Sequence, residues 1–265
     1  MTVFTPLHRG GSGDPIVLLH GFTDTWRTWE LVLPTLEQHA DVLAPTLPGH
    51  AGGPPLGAPL TPGSAADAVE QLMDEAGFAT AHVVGNSMGG YVALQLAERG
   101  RARSVVALAP AGGWAEGDDS YKETLAQFID MRPAVDAVAP TAHLLLATRA
   151  GRRLATQQTV VNFEHIPAEL LAHQMLGWAR CDALVPFTDQ ALAVGWPLHA
   201  EQVTCPIRIV WGTEDRLLPY PRAALRYRSL FPNADWVILD NVGHCPQLDV
   251  PRETAQLILG GTTGS

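Results

Sequence analysis

A mainly parallel, doubly wound α/β sheet with a helical cap insertion is the fold class that this sequence predicts. Three observations predict it. Short, β-branched apolar runs alternate with longer stretches of helical periodicity along most of the chain. Those runs are nearly continuous rather than alternately apolar and polar, as strands covered by helices on both faces must be. The rhythm breaks once, between residues 114 and 199, where no convincing strand pattern occurs.

Ile16-Val17-Leu18-Leu19-His20 reads as a buried strand that ends at a glycine, and Asp41-Val42-Leu43-Ala44-Pro45 as a second, weaker one. From Ala65 onward, apolar side chains at 65, 68, 69, 72, 73 and 76 recur at the spacing of one buried helix face. Ala81-His82-Val83-Val84 is the next strand, residues 91–98 supply the helix behind it, and Ser104-Val105-Val106-Ala107-Leu108-Ala109 is another strand. Ile207–Gly212 and Asp235–Leu239 repeat the theme. In the interval, residues 125–131, 135–148, 167–180 and 183–195 read as helices. Ligands in open α/β sheets bind beyond the carboxyl ends of the strands, so a helical insertion is expected to lie there, as opposed to packing at the sheet edge. The expected division is a core of residues 1–113 and 200–265 with a cap of residues 114–199. Residues 49–63 and 260–265 read as Gly/Pro-rich or small-polar loops and tails.

Composition narrows the function. With 46% hydrophobic and 17% charged residues, the chain has the makings of a packed core, which excludes global disorder. A net charge of -10 and the lack of a Lys/Arg cluster argue against nucleic acid as a partner. The densest basic group, Arg149, Arg152 and Arg153, reads as a solvated helix face. No run approaches the ~20 apolar residues that span a bilayer, and the first six residues lack the basic and apolar regions of a signal peptide. Three scattered cysteines with no C-x-x-C pair suit free thiols in a reducing, cytoplasmic setting rather than a disulfide framework or a metal site. No cofactor is called for, and the oligomeric state is left open, a homodimer included.

Gly85-Asn86-Ser87-Met88-Gly89 carries the most information about chemistry. A G-x-S-x-G pentapeptide between a strand and a helix describes a sharp turn with a serine at its apex, its Oγ projecting out of the sheet. Glycines on either side let strand and helix close on each other without colliding Cβ atoms. A serine hydroxyl needs a base, and the base an orienting acid. His244 follows the last strand in a short loop behind Gly243, and alone among the ten histidines combines strand end, glycine and late position. Asp215 follows the strand Ile207–Gly212, with Glu214 and Asp240 as competing acids. The order Ser, Asp, His suits this arrangement. Oxyanion donors are expected from the backbone N–H groups of Met88, at a helix N-terminus, and of Phe22, in the turn after the first strand. His20 reads as a structural residue that ties that turn down.

Leu19-His20-Gly21-Phe22, Pro48-Gly49-His50, residues 85–90, Gly212-Thr213-Glu214-Asp215 and Gly243-His244 stand in order along nearly the whole chain. In this the sequence resembles the α/β-hydrolase fold family, in its branch of small capped serine hydrolases. The resemblance implies Ser87 as nucleophile, Asp215 as acid, His244 as base, and Phe22 and Met88 as oxyanion donors. Thr46-Leu47 stands where relatives often carry a structural aspartate. A serine at 87 argues against epoxide hydrolases and haloalkane dehalogenases, which use an aspartate nucleophile.

Aromatic and apolar residues near strand ends and in the cap imply a small to medium, neutral, mostly apolar substrate. Trp26, Trp114, Phe128, Met131 and Trp178 are the expected wall residues, Trp114 foremost. Arg180 has two readings: an ion pair with Asp182 or Glu169, or the cap arginine that holds a carboxylate in relatives cleaving carbon–carbon bonds of diketo acids. The reading favoured is therefore a serine hydrolase of esters working through an acyl-enzyme. Its rivals are a carbon–carbon hydrolase of the meta-cleavage type, a ligand receptor that keeps the triad with little turnover, and a perhydrolase or cofactor-free haloperoxidase-like activity.

Overall fold

The computed structural model describes residues 3–262. Seven strands form one sheet in the order β1-β3-β2-β4-β5-β6-β7. They are β1 Leu7–Gly11, β2 Asp14–Leu19, β3 Ala40–Pro45, β4 Ala81–Asn86, β5 Ala102–Leu108, β6 Ile207–Gly212 and β7 Asp235–Leu239. All neighbours are parallel except β1, which lies antiparallel on β3 at the edge. The expected strands are all present, and β1 is the addition. Its sequence, Leu-His-Arg-Gly-Gly, is exposed on alternate residues and has no apolar run to betray it.

The helices in chain order are α1 Leu33–Leu36, α2 Ser64–Glu75, α3 Met88–Glu98, α4 Ser120–Val138, α5 Ala142–Leu146, α6 Arg149–Thr156, α7 Ala168–Ala179, α8 Leu184–Val194, α9 Leu225–Leu230, α10 Pro246–Asp249 and α11 Pro251–Thr262. Strand side chains alternate between two buried layers. Leu19 and Val83 join Val69, Met73, Val92 and Tyr227 from α2, α3 and α9, while Leu18 and Val84 join Leu33, Leu36, Ala255 and Ile258 from α1 and α11. Both faces are therefore covered, which explains why the strands read as unbroken apolar runs.

Helices α4 to α8 all fall between β5 and β6. The expected helix over 135–148 is divided: α4 runs through Pro133 to Val138, and a short 3₁₀ turn containing Pro140 separates it from α5. Proline at the start of that turn has no N–H to continue the ladder. The three arginines 149, 152 and 153 lie on α6, as a charged helix face. Gly260 and Gly261, expected in a tail, belong to α11 instead; residues 263–265 lie outside the described region. A Cβ on Gly261 would come within 2.7 Å of Val106, so the glycine lets the end of α11 lie close on β5. Among the described residues no helix is long and apolar enough to cross a membrane.

Strand order reverses at β2. The chain leaves β2 toward β3 on one side and returns to β4 on the other, so the loops after β2 and β4 diverge and open a crevice between them. Leu19 and Gly85 are register partners at that point. The turn at Gly21 and the serine at 87 therefore meet.

Candidate active site

Ser87 sits at the C-terminal end of β4 with φ 55° and ψ -118°, in the left-handed half of the backbone map that a residue with a side chain avoids. Such a conformation costs on the order of 1–3 kcal/mol and persists only where the surroundings over-determine it. Here they do. The Ser87 N–H donates to the Leu108 carbonyl at 2.9 Å, and the Ser87 carbonyl accepts from the N–H groups of Tyr91 and Ala111 at 3.1 and 3.0 Å. An added Cβ on Gly85 would strike the Gly89 carbonyl, and one on Gly89 would strike the Leu19 carbonyl. The two glycines thus let strand and helix meet closely enough to force the turn.

His244 and Asp215 come together from the ends of β7 and β6. The His244 Nδ1–H donates to Asp215 Oδ2 at 2.7 Å, and both side chains are buried. Asp215 Oδ1 accepts from the Leu217 and Leu218 N–H groups at 3.0 and 2.7 Å. Three donors thus converge on one carboxylate, and with the proton on Nδ1 the imidazole presents a bare lone pair at Nε2. That Nε2 is buried and has no hydrogen-bond partner among the described residues. The competing acids point elsewhere. Glu214 faces Arg216 at 4.0 Å, and Asp240 accepts from the Thr213 hydroxyl at 3.2 Å.

Three residues that sequence reasoning did not single out hold this loop in place. Asn86 Nδ2 donates to the carbonyls of His244 and Leu108 at 2.9 and 3.1 Å, while its Oδ1 accepts from Gln247 Nε2 at 3.1 Å. Asp249, also buried, accepts four hydrogen bonds. These come from Gly243 N–H at 2.7 Å, Val161 N–H at 2.9 Å, Asn162 N–H at 2.8 Å and Asn162 Nδ2 at 2.7 Å. A polar residue next to the nucleophile was the sole local signal for Asn86; Asp249 gave none beyond its charge.

On the opposite wall, a Cβ built on Gly21 would lie 3.3 Å from the Ser87 Cβ, which measures how closely the turn after β2 approaches the serine. Met88 opens α3, so its backbone N–H has no acceptor within the helix. His20 holds the turn. Its Nδ1–H donates to the Gly21 carbonyl at 2.7 Å and its Nε2 accepts from the Leu47 N–H at 2.8 Å. Burial drives its pKa well below the ordinary value, with neighbouring His50 adding to the effect, so the ring is a neutral strut.

Ser87 and His244 line one cavity of about 330 Å³, roofed by α4 to α7. Phe128, Met131 and Trp178 line it, joined by Val135, Leu171 and Met175. Two expected wall residues, Trp26 and Trp114, lie elsewhere, and so does Arg180. The Trp26 indole N–H donates to the Thr5 hydroxyl at 2.8 Å and its ring stacks on His8, on the outer side of the turn. Trp114 packs between Tyr121 and Trp196, turned into the core rather than the cavity. The Arg180 guanidinium lies over the Phe4 ring at 5.2 Å, and neither Asp182 nor Glu169 pairs with it. A chain position near a strand end, as for the two tryptophans, or at a helix end, as for Arg180, does not say which way a side chain turns, and all three turn away.

The cavity is lined without any lysine or arginine; its ionisable side chains are His244, Cys245 and Asp24. Burial pushes the Cys245 thiol well above its usual range, so it stays protonated. A larger cavity of about 580 Å³ opens between α2, α3, α8 and the loop after β3, but Ser87 does not line it. The Phe22 ring stands between the two, against Phe128 on one side and Phe187 and His50 on the other. No cluster of three His, Cys, Asp or Glu side chains among the described residues could hold a metal ion.

Comparison with known proteins agrees with this fold. The chain is 34% identical over 198 residues to epoxide hydrolase EphH of Mycobacterium tuberculosis, covering 73% of this chain and 91% of that one. It is 30% identical over 266 residues to the pimeloyl-[acyl-carrier protein] methyl ester esterase of Aromatoleum aromaticum, covering 92% and 96%. A meta-cleavage product hydrolase from Pseudomonas fluorescens shares the fold with a TM-score of 0.72 at 20% identity, over 97% of this chain and 93% of that one. The model of the alpha/beta hydrolase family matches residues 16–257, and the chain belongs to that family.

Proposed function

We propose that this protein is a serine hydrolase that cleaves esters, or related acyl bonds, of small to medium, neutral, largely apolar molecules. The observation that carries the reading is the Asp215–His244 pair, its Nε2 without a partner among the described residues, in one cavity with the strained Ser87. Nε2 takes the Ser87 proton as Oγ bonds to the carbonyl carbon. The oxyanion forms against the backbone N–H groups of Phe22 and Met88. Collapse expels the alcohol, which takes the proton from Nε2 and leaves an acyl ester on Ser87. Water then gives a proton to Nε2 and attacks that ester; breakdown returns the proton to Oγ and releases the acid. Asp215 keeps the imidazole in the Nδ1–H tautomer and stabilises its cation throughout.

Two observations weigh against the rival chemistries named for relatives. Diketo-acid cleavage needs a cation for the substrate carboxylate, and the Ser87 cavity has no lysine or arginine in its walls. Epoxide opening through an alkyl ester on the enzyme needs a carboxylate at position 87, which holds serine. The test is labelling with a fluorophosphonate alongside turnover of p-nitrophenyl esters, a dienone acid and a styrene-type epoxide, each with the native chain and with Ser87→Ala. We expect an adduct on Ser87 and ester turnover that the substitution abolishes. Labelling without ester turnover would favour a carbon–carbon hydrolase or a receptor. Absence of labelling would sink the nucleophile.

A further inference from the structure

The Ser87 cavity holds one carboxyl group that the hydrolytic chemistry above does not use. Asp24 lies two residues beyond Phe22, in the turn that brings Gly21 against Ser87, and is among the residues that line the same cavity as Ser87 and His244, as is its partner Gln174. Its orientation is set from both sides. Oδ1 accepts from the Thr25 N–H at 2.8 Å, and Oδ2 accepts from Gln174 Nε2 at 2.8 Å, reaching from the β2 turn to α7. Both partners are neutral, as is the Thr28 hydroxyl that also bonds it. With no lysine or arginine in the cavity wall, its charge has no cation to meet.

We propose that Asp24 is the charge-selecting residue of this cavity, excluding ligands that carry a carboxylate and admitting neutral or cationic ones. The inference rests on the Ser87 cavity being the substrate site, and it narrows the substrate class from apolar molecules in general to those without an anionic group. A like charge in a partly buried, water-poor space is repelled far more strongly than in bulk solvent, where ions are screened. Burial pushes the Asp24 carboxyl up to about 6, the cost of a charge that only neutral groups solvate. Above that value it is ionised. Gln174 marks the neutral alternative: its amide donates to Asp24 from the cavity wall without adding charge.

The experiment measures binding rather than turnover, so that its outcome is separate from the fate of the hydrolase reading. In the Ser87→Ala chain at pH 8, octanamide, octanoate and octylammonium are titrated calorimetrically, with Asp24 intact and with Asp24→Asn. With Asp24 intact, octanoate is expected to bind at least about tenfold more weakly than octanamide, and octylammonium at least as tightly as octanamide. In Asp24→Asn the octanoate deficit should shrink by about tenfold while octanamide affinity holds. Equal binding of octanoate and octanamide with Asp24 intact would overturn the proposal without need of the variant, and so would an unchanged deficit in a folded Asp24→Asn. Failure of octanamide to bind would overturn it too, since the cavity would then not be the ligand site. In parallel, the chain with Ser87 is assayed on p-nitrophenyl hexanoate. Loss of that turnover alone counts against the ester reading and leaves the charge preference standing.

Discussion

The ends of the strands and the helices between β5 and β6 are built by different means, although together they enclose one cavity. Ser87, Asp215 and His244 stand on turns whose backbone has little freedom: glycines in contact with carbonyls, buried amides, and a carboxylate held by three donors. The helices α4 to α8 pack through small apolar clusters and leave Leu144, Leu154, Val185, Leu192 and Val194 exposed. Polar joints fasten them to the turns, among them Asp249 to Val161 and Asn162, Asp24 to Gln174, the Thr25 hydroxyl to His173, the Cys245 N–H to the Thr159 carbonyl, and His165 Nε2 to the Leu248 carbonyl. The contrast teaches where change is tolerated. On the function proposed above, a displaced turn would lose the chemistry, whereas a repacked helix would alter which molecule enters.

The largest expected effect breaks the turns without touching the helices. Asp215→Asn keeps the volume but replaces an acceptor by a group that can donate to Nδ1, which favours the wrong imidazole tautomer. By the logic of the triad, kcat for a p-nitrophenyl ester should fall by about 10⁴-fold with KM nearly unchanged. A loss of tenfold or less would mean that the Asp215–His244 bond is structural. Next in size is Gly85→Ala, whose Cβ has the Gly89 carbonyl in its way. Urea unfolding should show a loss of about 4 kcal/mol or more, because backbone rather than a flexible side chain must move. The exposed Leu144→Ser in α5 should change stability by no more than about 0.5 kcal/mol. Similar values for the two would erase the contrast.

The same difference governs how far the sequence could be read. Ser87, Asp215 and His244 each follow an apolar strand and a glycine within a few residues, so local pattern alone placed them at one end of the sheet. The unbroken runs of β2 and β4 to β6 carried the topology for the same reason. What local pattern cannot reach is a partner far along the chain. Asn86 meets His244 across 158 positions and Asp24 meets Gln174 across 150, and nothing near any of these residues announces the pairing. Nor does pattern fix the direction of an aromatic ring. Trp26 and Trp178 are both tryptophans close to the cavity in sequence terms, yet one stacks on His8 outside it and the other lines it. The edge strand β1 escaped because its two glycines and polar residues resemble a loop.

Asp249 tests whether the two regions are separable at all, since it binds the His244 loop and the inserted segment through one carboxylate. Asp249→Ala removes the acceptor of four hydrogen bonds, that of the buried Gly243 N–H among them, and stability should fall by about 3 kcal/mol. A cut in kcat larger than the rise in KM is expected with it, because Gly243 is tied by the same oxygen as Val161. Should only KM change, the insertion and the histidine loop would be independent.

Acid should loosen the turns next. Burial lowers His50 and His173 to about 4, and His20 further still. Below pH 6.5 the unfolded chain therefore takes up protons that the folded chain refuses, and stability falls as pH falls. By pH 5 the loss is about 2 kcal/mol for each of His50 and His173. Asp24 acts in the opposite sense, since its carboxyl is raised to about 6 and the folded state binds the extra proton; by pH 5 it offsets about 1 kcal/mol. The urea midpoint should thus drop between pH 6.5 and 5, and more steeply in Asp24→Asn. A flat profile would place these histidines in solvent.

The smallest expected effect belongs to the helices. Trp178 lines the cavity from α7 and packs on Phe128 from α4, with a ring-centroid separation of 5.6 Å. Trp178→Ala removes a wall without touching Ser87 or His244, so kcat for the smallest ester should hold. Pocket volume gained there should instead favour longer or bulkier acyl groups, shifting the ratio of kcat/KM between hexanoate and acetate esters by about tenfold. A uniform fall across the ester series would show that the insertion positions the turns as well as choosing the ligand. A changed ratio with a constant kcat for acetate would show that selection lies in the helices while the chemistry is held by the strand ends.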